Sequence, residues 1–178
     1  VDAMVEVLGL DSDDVVLMAS TLAHQTGFLY GLVMPLSRGM KVVYQDVWDA
    51  DQALRICHDE GVTFTMGSTT FLLDTVAAQR RAGGAPPPAF RYFVCGGAPI
   101  PSPLVYEARE QLDVEVVAVW GMTENGAATL TRPGDEADVV ANSDGIAANG
   151  MEVRVVDDGG TELPVGTVGR LQVRGPNQ

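Results

Sequence analysis

The sequence of 178 residues predicts an α/β fold, with layers of parallel sheet flanked by helices and followed by the start of a small β-barrel subdomain. Short apolar segments typical of strands alternate with segments of helical periodicity, and brief turns join them. This alternation favours a parallel sheet with right-handed crossovers. Beyond about Thr131 no helical period is found and alternating strands follow, which indicates a change to a β region.

The first βαβ unit lies near the N-terminus. Residues 1–10 have a helical pattern, residues 15–20 form an apolar run with β-branched side chains, and residues 27–36 are predicted to be helical. A second strand is predicted over residues 41–44. We therefore interpret residues 1–46 as the end of a first α/β subdomain.

The next helix and strand have local start and stop signals. Asp49, followed three residues later by Gln52, resembles a capping box, and Gly61 supplies a C-terminal stop. Residues 62–66 then alternate as a strand, and Ser68 can cap the helix after it. The alternation of strand and helix thus continues.

Two more strands complete the predicted sheet. A surface loop over residues 83–88 leads to a strand at residues 92–95, and the helix that follows the next turn is expected to be capped by Ser102. Residues 114–119 are almost wholly apolar, as in a parallel strand buried on both faces. Residues 47–133 are predicted to form a second α/β subdomain.

The C-terminal region has a different pattern. Residues 152–156 and 169–174 alternate as strands, separated by turns at residues 158–160 and 165–166. We predict a partial β subdomain over residues 134–178.

Composition excludes several classes of function. The formal net charge is −13, from 24 acidic and 11 basic residues, and this charge would repel a phosphate backbone, so no nucleic-acid partner is expected. No apolar run approaches the roughly 18 residues that a membrane span needs. Cys57 and Cys95 match neither a disulfide framework nor a zinc site, which favours a cytoplasmic location.

Ligands of open α/β sheets bind beyond the carboxyl ends of the strands. Four segments follow predicted strands, so hydroxyls, a histidine, glycines, an aromatic plane and a carboxylate would meet at one sheet edge. These segments are residues 20–27, 67–70, 96–99 and 120–124.

The segment Gly96, Gly97, Ala98 and Pro99 contains two adjacent glycines. Glycine allows positive φ and lets a flat ligand approach the main chain closely. The same composition also suits an ordinary strand-to-helix turn. Taken alone, the segment does not separate these two interpretations.

The segment Trp120-Gly121-Met122-Thr123-Glu124 combines an aromatic plane, a flexible glycine, a hydroxyl and a carboxylate. These groups suit a base, a phosphate and a divalent cation. The alternative is that Trp120 is a core residue and Glu124 a solvated carboxylate.

His24 precedes a strongly apolar helix. It could be a hydrogen-bonded histidine near the helix start, or it could serve as a pocket wall or proton relay. His58 lies on the polar side of its helix and is assigned no role.

These segments, in this order and spacing, resemble the adenylate-forming superfamily of acyl-CoA ligases, luciferases and peptide-synthetase adenylation domains. His24 falls where that family carries a histidine before an apolar helix. Residues 169–176 are similar to the family's G-E-L-x-x-R-G-P stretch, with Arg170 where Glu is common.

The resemblance implies a set of site residues. Gly97, Ala98 and Pro99 would line the adenine and ribose site, Trp120 would stack on the adenine, and Gly121 and Met122 would also bind the nucleotide. Thr123 would contact the α-phosphate and Glu124 would hold Mg²⁺, so that Thr123, Glu124 and His24 would serve catalysis. The pocket for the acid would be bordered by His24, Gly67, Gly96 and Gly121.

The resemblance also implies an activity. An acyl-CoA ligase brings a small carboxylic acid in line with the α-phosphorus of ATP, with Mg²⁺ stabilising the developing charge, and CoA then takes the acyl group from the adenylate. Residues 23–31 are most similar to ligases for medium-chain or alicyclic acids, such as cyclohexanecarboxylate–CoA ligase.

The sequence departs from the family pattern in three places. It has no Gly/Ser/Thr-rich phosphate loop ending in Pro-Lys, no Tyr-x-x-G-D ribose motif and no C-terminal lid with a catalytic lysine. We therefore expect an internal piece of a longer enzyme that is inactive by itself. Two alternatives remain: an adenylation domain that loads a carrier protein, and a non-catalytic nucleotide-binding module.

Overall fold

A computed structural model describes residues 1–176; residues 177 and 178, the end of the predicted partial β subdomain, lie outside the described residues. A seven-stranded sheet forms the centre of the fold, with the strand order β2-β1-β3-β4-β5-β6-β7. Its strands are β1 (Val15–Met18), β2 (Lys41–Tyr44), β3 (Phe64–Gly67), β4 (Tyr92–Gly96), β5 (Glu115–Met122), β6 (Gly126–Leu130) and β7 (Ile146–Ala147).

The first five strands are parallel, and β6 and β7 are added antiparallel. The chain runs from β1 to β2 on one side and then crosses back to β3 on the other side of β1. The order therefore reverses between β1 and β3, which is where open α/β sheets form a crevice for ligands. The predicted α/β fold with a mainly parallel sheet is confirmed.

Helices cover both faces of this sheet. A π-helical segment, Gly27–Val33, continues directly into the second α-helix, so the predicted helix over residues 27–36 is present but its first part is wider than an α-helix. The α-helices are α1 (Asp2–Leu8), α2 (Met34–Arg38), α3 (Ala50–Glu60), α4 (Thr69–Ala82), α5 (Ser102–Leu112) and α6 (Ala137–Asn142).

Two hydrophobic clusters pack against opposite faces of the sheet. Along β1, Leu17 packs toward α3 to α6, whereas Val16 and Met18 pack toward α1 and α2. Phe93 and Phe64 are buried on the first and second face respectively. Burial of each such side chain contributes about 1.5–3 kcal/mol, so both faces stabilise the sheet.

Several helix ends follow their local sequence signals. The Asp49 carboxylate accepts a hydrogen bond from the Gln52 amide at 2.8 Å, and Gly61 ends α3 with φ of 66°. The predicted Ser102 cap is wrong: Pro101 is the N-cap, and Ser102 is already the first helical residue. With φ of −61° and ψ of 134°, Pro101 leads into the helix without a side-chain cap.

The prediction that no helix follows Thr131 is also wrong, because α6 packs beside α5 through Ala137 and Val140. This helix has six residues and two buried side chains, too few for a visible period. The strand β6 was likewise not predicted. Its small residues pair with β5 and have little strand character on their own.

A separate antiparallel sheet follows where the sequence predicted the β subdomain. It consists of β8 (Glu152–Val156) and β9 (Arg170–Arg174), which confirms the two predicted C-terminal strands. The division into residues 1–46, 47–133 and 134–178 remains a prediction, and strands from all three ranges belong to the seven-stranded sheet. Over residues 1–176, no helix is long and apolar enough to cross a membrane.

Candidate functional site

A cavity of about 600 Å³ lies beyond the carboxyl ends of β1, β3, β4 and β5. We call it the first cavity. Its position matches the reversal of strand order between β1 and β3, where connections leave the sheet in opposite directions. Of the predicted site residues, it is lined by His24, Gly67, Gly96, Gly97, Gly121, Met122, Thr123 and Glu124.

A second cavity, of about 540 Å³, lies beside the first. It is lined by the remaining predicted nucleotide-site residues, Ala98, Pro99 and Trp120, and by the C-terminal end of α6. Gly97 and Gly121 line both cavities. The structure thus divides the predicted residues between two adjacent spaces that meet at two glycines.

Close backbone packing explains the glycines at this junction. A Cβ atom on Gly96 would lie 2.7 Å from the Val119 carbonyl oxygen, and one on Gly121 would collide with the carbonyl of Gly126. Gly97 has φ of 83°, which side chains disfavour, as the sequence predicted for this segment. The backbone here can therefore approach a ligand without an intervening side chain.

The segment predicted as a turn at residues 120–124 is a strand end followed by a tight hairpin. β5 continues through Met122, and a bulge lies between Trp120 and Gly121. The bulge redirects side chains near the end of the strand. Thr123 and Glu124 are consequently exposed at the tip, toward the first cavity.

Two side-chain amides hold this hairpin at Met122. Asn125 is fully buried, and its Oδ1 accepts a hydrogen bond from the Met122 amide at 3.0 Å. Gln25 donates from Nε2 to the Met122 carbonyl at 2.9 Å. Since Gln25 follows His24, the second bond links the His24 segment to the segment that bears Glu124.

His24 lies in the turn before the π-helical segment and is exposed. Its Nδ1 accepts a hydrogen bond from the Thr26 amide at 3.2 Å, which leaves Nε2 free of intramolecular bonds among the described residues. His24 is therefore both hydrogen-bonded near a helix start and part of the cavity wall. The two interpretations of this residue are compatible.

Tyr30, in the π-helical segment, also lines the first cavity. It is 2% exposed, and burial raises the pKa of its phenol to about 12 despite an opposing hydrogen bond with the Ala127 backbone. Tyr30 is thus a neutral hydroxyl that ties this segment to β6. Short π-helical segments often occur at functional sites, but local sequence gives no signal for Tyr30's position.

The described walls of both cavities contain no lysine or arginine. His24, Tyr30 and Glu124 are among the lining residues of the first cavity, and Asp144 lines the second. Cys95 lines the second cavity as a neutral thiol, because burial raises its pKa to about 11 against a hydrogen bond with Thr69. The described walls therefore offer a ligand mainly backbone, hydroxyl and apolar groups.

Metal ligation was predicted for Glu124. No group of three or more His, Cys, Asp or Glu side chains able to hold an ion occurs in residues 1–176. Magnesium needs fewer protein ligands than this, because one or two carboxylates and substrate phosphates usually hold it together with water. A single accessible carboxylate at the cavity edge suits that mode of binding.

Sequence analysis missed three kinds of residue or contact at the site. The bonds of Gln25 and Asn125 to Met122 were not predicted, because the backbone they reach is near only in the folded chain, and Met66 and Phe71, which line the first cavity, look like ordinary core residues. Asn142, Ser143 and Asp144 line the second cavity at the end of α6, which was not predicted. Of the missed features, only the Asn125 contact had a signal in the sequence, because Asn125 directly follows Glu124 and a side-chain amide there can bond to the backbone of the turn.

Comparison with known proteins gives a family match over the whole chain. The model of the family described as AMP-binding enzyme matches residues 1–178. The chain is 34% identical over 170 residues to a medium-chain fatty-acid–CoA ligase of Escherichia coli (strain K12), covering 96% of this chain and 30% of that protein.

A second relative is a salicylyl-CoA synthase / salicylate adenylyltransferase of Streptomyces sp, 32% identical, with 96% of this chain and 31% of that protein covered. The chain thus spans less than a third of these two curated relatives. Among solved structures, the O-succinylbenzoate coenzyme A synthetase of Bacillus subtilis in complex with AMP is similar, with a TM-score of 0.88 and 25% identity. That match covers 99% of this chain and 35% of the other.

Proposed function

Because this chain belongs to the AMP-binding enzyme family, we propose that its parent protein is an ATP-dependent ligase that joins a small carboxylic acid to CoA through an acyl-adenylate. The observation that carries the proposal is the junction of two cavities at Gly97 and Gly121. An acyl-adenylate has two dissimilar parts joined at a phosphate, and two cavities meeting beside Thr123 and Glu124 suit such a molecule.

In this proposal the second cavity holds the nucleotide. The main chain of Gly97, Ala98 and Pro99 would border adenine and ribose, and the indole of Trp120 would stack on the base. Gly121 and Met122 would border the α-phosphate, next to the Thr123 hydroxyl. The first cavity would hold the acid, with Gly67, Gly96 and His24 in its wall.

The reaction would begin when a carboxylate oxygen attacks the α-phosphorus of ATP and pyrophosphate leaves. Positioning of the two reactants at the junction would supply much of the rate, because the attack becomes effectively intramolecular. Thr123 would donate a hydrogen bond to an α-phosphate oxygen. The free Nε2 of His24 would orient the incoming carboxylate.

Magnesium bound at Glu124 would supply charge stabilisation at the phosphates. The described cavity walls lack a cationic side chain, so this contribution matters more here than in a site with its own lysine. Further cationic groups would come from the rest of the parent protein. The 178-residue chain by itself is accordingly proposed to be inactive.

CoA as the acyl acceptor is supported by the names of the two relatives, a fatty-acid–CoA ligase and a salicylyl-CoA synthase. The second relative is also named an adenylyltransferase, which agrees with an adenylate intermediate. A cytoplasmic location is part of the proposal, since both cysteines are free thiols.

The test is acid-dependent release of pyrophosphate from ATP by the complete parent protein. Replacement Glu124→Ala should lower kcat by about 100-fold or more, with a stronger dependence on Mg²⁺ concentration, because charge at the phosphates loses its metal anchor. Glu110→Ala removes an exposed carboxylate on α5 and serves as the matched control. An unchanged rate in Glu124→Ala would remove Glu124 from the site.

A further inference from the structure

Behind the first cavity lies a small inner cavity of about 10 Å³, which has room for roughly one water-sized group. It is enclosed by apolar and aromatic side chains that include Leu17, Trp48, Phe90 and Phe93. Two residues, Ala19 and Phe71, line both this inner cavity and the first cavity. The ring of Phe71 and the methyl group of Ala19 are therefore the partition between the two spaces.

Two contacts hold the Phe71 ring in place. The ring stacks on the Trp48 indole, with ring centroids 4.4 Å apart and an interplanar angle of 28°. Trp48 is itself fixed, because its Nε1 donates a hydrogen bond to Asp74 Oδ2 at 2.9 Å. The ring thus rests on an anchored aromatic surface and not on a freely rotating side chain.

The Phe71 side chain also lies against Gly67, at the carboxyl end of β3. A Cβ atom on Gly67 would lie 2.6 Å from Cδ2 of Phe71, so any side chain there would displace the ring. The Phe71 ring can therefore take its position only because residue 67 is a glycine.

We propose that Phe71 is the floor of the acid pocket and sets the length of the acid tail that the enzyme accepts. This inference rests on the proposed function and adds a substrate class to it. The described wall of the first cavity has apolar groups from Tyr30, Met66, Val119 and Ala127 and no lysine or arginine. This part of the wall therefore favours a monocarboxylic acid with an apolar tail, because its described residues offer a second carboxylate no counter-charge.

The inner cavity explains why the limit lies at Phe71. Removal of the ring would join the inner cavity to the first one and add the volume of the ring itself, toward the half-buried Trp48. A larger ring at the same position would shorten the pocket. Specificity should therefore shift in opposite directions for smaller and larger side chains at this one position.

The experiment compares the complete parent enzyme with its Phe71→Leu, Phe71→Ala and Phe71→Trp variants on a homologous series of straight-chain saturated monocarboxylic acids. The measurement is kcat/KM for each acid from pyrophosphate release. We expect Phe71→Ala and Phe71→Leu to raise kcat/KM about tenfold for acids longer than the wild-type optimum, and Phe71→Trp to move the optimum to shorter acids. The control is Leu73→Ala, which removes a 52% exposed side chain from the same helix.

The outcomes separate this inference from the proposed function. If the wild-type enzyme activates some acids but all Phe71 variants keep the same optimum, Phe71 is not the floor, although the ligase activity stands. If the wild-type enzyme activates no acid in this series but does activate dicarboxylic or hydroxylated acids, the inference fails and the ligase activity stands; if it activates no carboxylic acid at all, the proposed function itself fails. If the Phe71→Ala variant does not fold, the chain-length optimum of the Phe71→Leu variant, which keeps an apolar side chain, is compared with that of the wild type instead.

Discussion

Gly121 has a position that no other residue type could occupy in this fold. The carbonyl of Gly126 on the paired strand lies where a side chain would begin, and the bulge between Trp120 and Gly121 brings the strands together there. The sequence marked this glycine as flexible, but its constraint is close approach and not positive φ. At Gly97, with φ of 83°, the sequence-based reason was the right one.

Asp14 is a buried carboxylate that is hydrogen-bonded on several sides. It is 4% exposed, accepts a hydrogen bond from the Thr63 hydroxyl at 2.6 Å and forms an ion pair with Arg91 at 2.7 Å. Burial alone would raise the pKa of Asp14, but these bonds, together with that from the Asp11 amide, outweigh it and lower the pKa. The network ties the start of β1 to β3 and to the start of β4.

This network should make stability depend on pH. The folded pKa of Asp14 is lowered. Its contribution to the free energy of unfolding is therefore complete above the unfolded pKa of about 3.9 and is lost as the pH falls through the folded pKa. Asp14→Asn should lower the free energy of unfolding by about 1–3 kcal/mol near neutral pH, and the difference should shrink in acid. Urea unfolding at several pH values measures both effects.

The control for Asp14 is a pair on the surface. Glu60 forms an ion pair with Lys41 at 2.6 Å, but both side chains are substantially exposed. Glu60→Gln should change the free energy of unfolding by less than about 1 kcal/mol at any pH. Equal losses in the two variants would contradict a special contribution from Asp14.

At the level of elements, the β5–β6 hairpin is the part of the fold on which the candidate site depends most. It carries Thr123 and Glu124 at its tip, and its two backbone polar groups at Met122 are held by Asn125 and Gln25. A hairpin tip without such bonds would be mobile, since few apolar contacts reach it. The side-chain amides thus position the two exposed site residues.

Asn125→Ala should loosen this tip. The loss of the Oδ1 acceptor leaves the Met122 amide without its partner, so amide hydrogen exchange at Met122 should become faster. The free energy of unfolding should fall by about 1–3 kcal/mol, and kcat should fall more than the KM of the acid changes. Asn149→Ala, which removes an exposed hydrogen bond to Glu6, is the control and should leave Met122 exchange unaltered.

Elements with strong periodicity or defined caps were predictable, and those defined by their partners were not. α3 has an Asp49 cap and a Gly61 stop within its own sequence. In contrast, β6 exists because β5 offers an unpaired edge, and α6 because α5 offers an apolar groove. Such elements gain most of their stability from tertiary contacts, which no local pattern encodes.

For the whole molecule, the sheet order unites segments that are far apart in the sequence. The reversal between β1 and β3 places the His24 segment, Gly67, the Gly96 segment and the β5–β6 hairpin at one edge. The two cavities then meet at Gly97, just after β4, and at Gly121 in β5. This arrangement supports the proposal that one composite ligand occupies both cavities.

A non-hydrolysable acyl-adenylate mimic tests this composite site in the complete parent protein. At about 100 times its Kd, the mimic should stabilise the protein against unfolding by about 2.7 kcal/mol. Trp120→Ala should weaken binding of both the mimic and AMP, whereas Phe71→Trp should weaken only the mimic with a long acyl group. Absence of mimic binding to the wild-type protein, measured by calorimetry, would instead favour a fold without adenylating function.

The sequence by itself determined the alternation of strands and helices, the glycines of the Gly96 segment and the order of the candidate site residues, because periodicity, capping and backbone freedom are local properties. Only the tertiary structure decided that the segment at residues 120–124 continues a strand, that two cavities meet at Gly97 and Gly121, and that Phe71 lies between the first cavity and the inner cavity. These features depend on which atoms from distant segments lie in contact, and only the packing of the folded chain determines that.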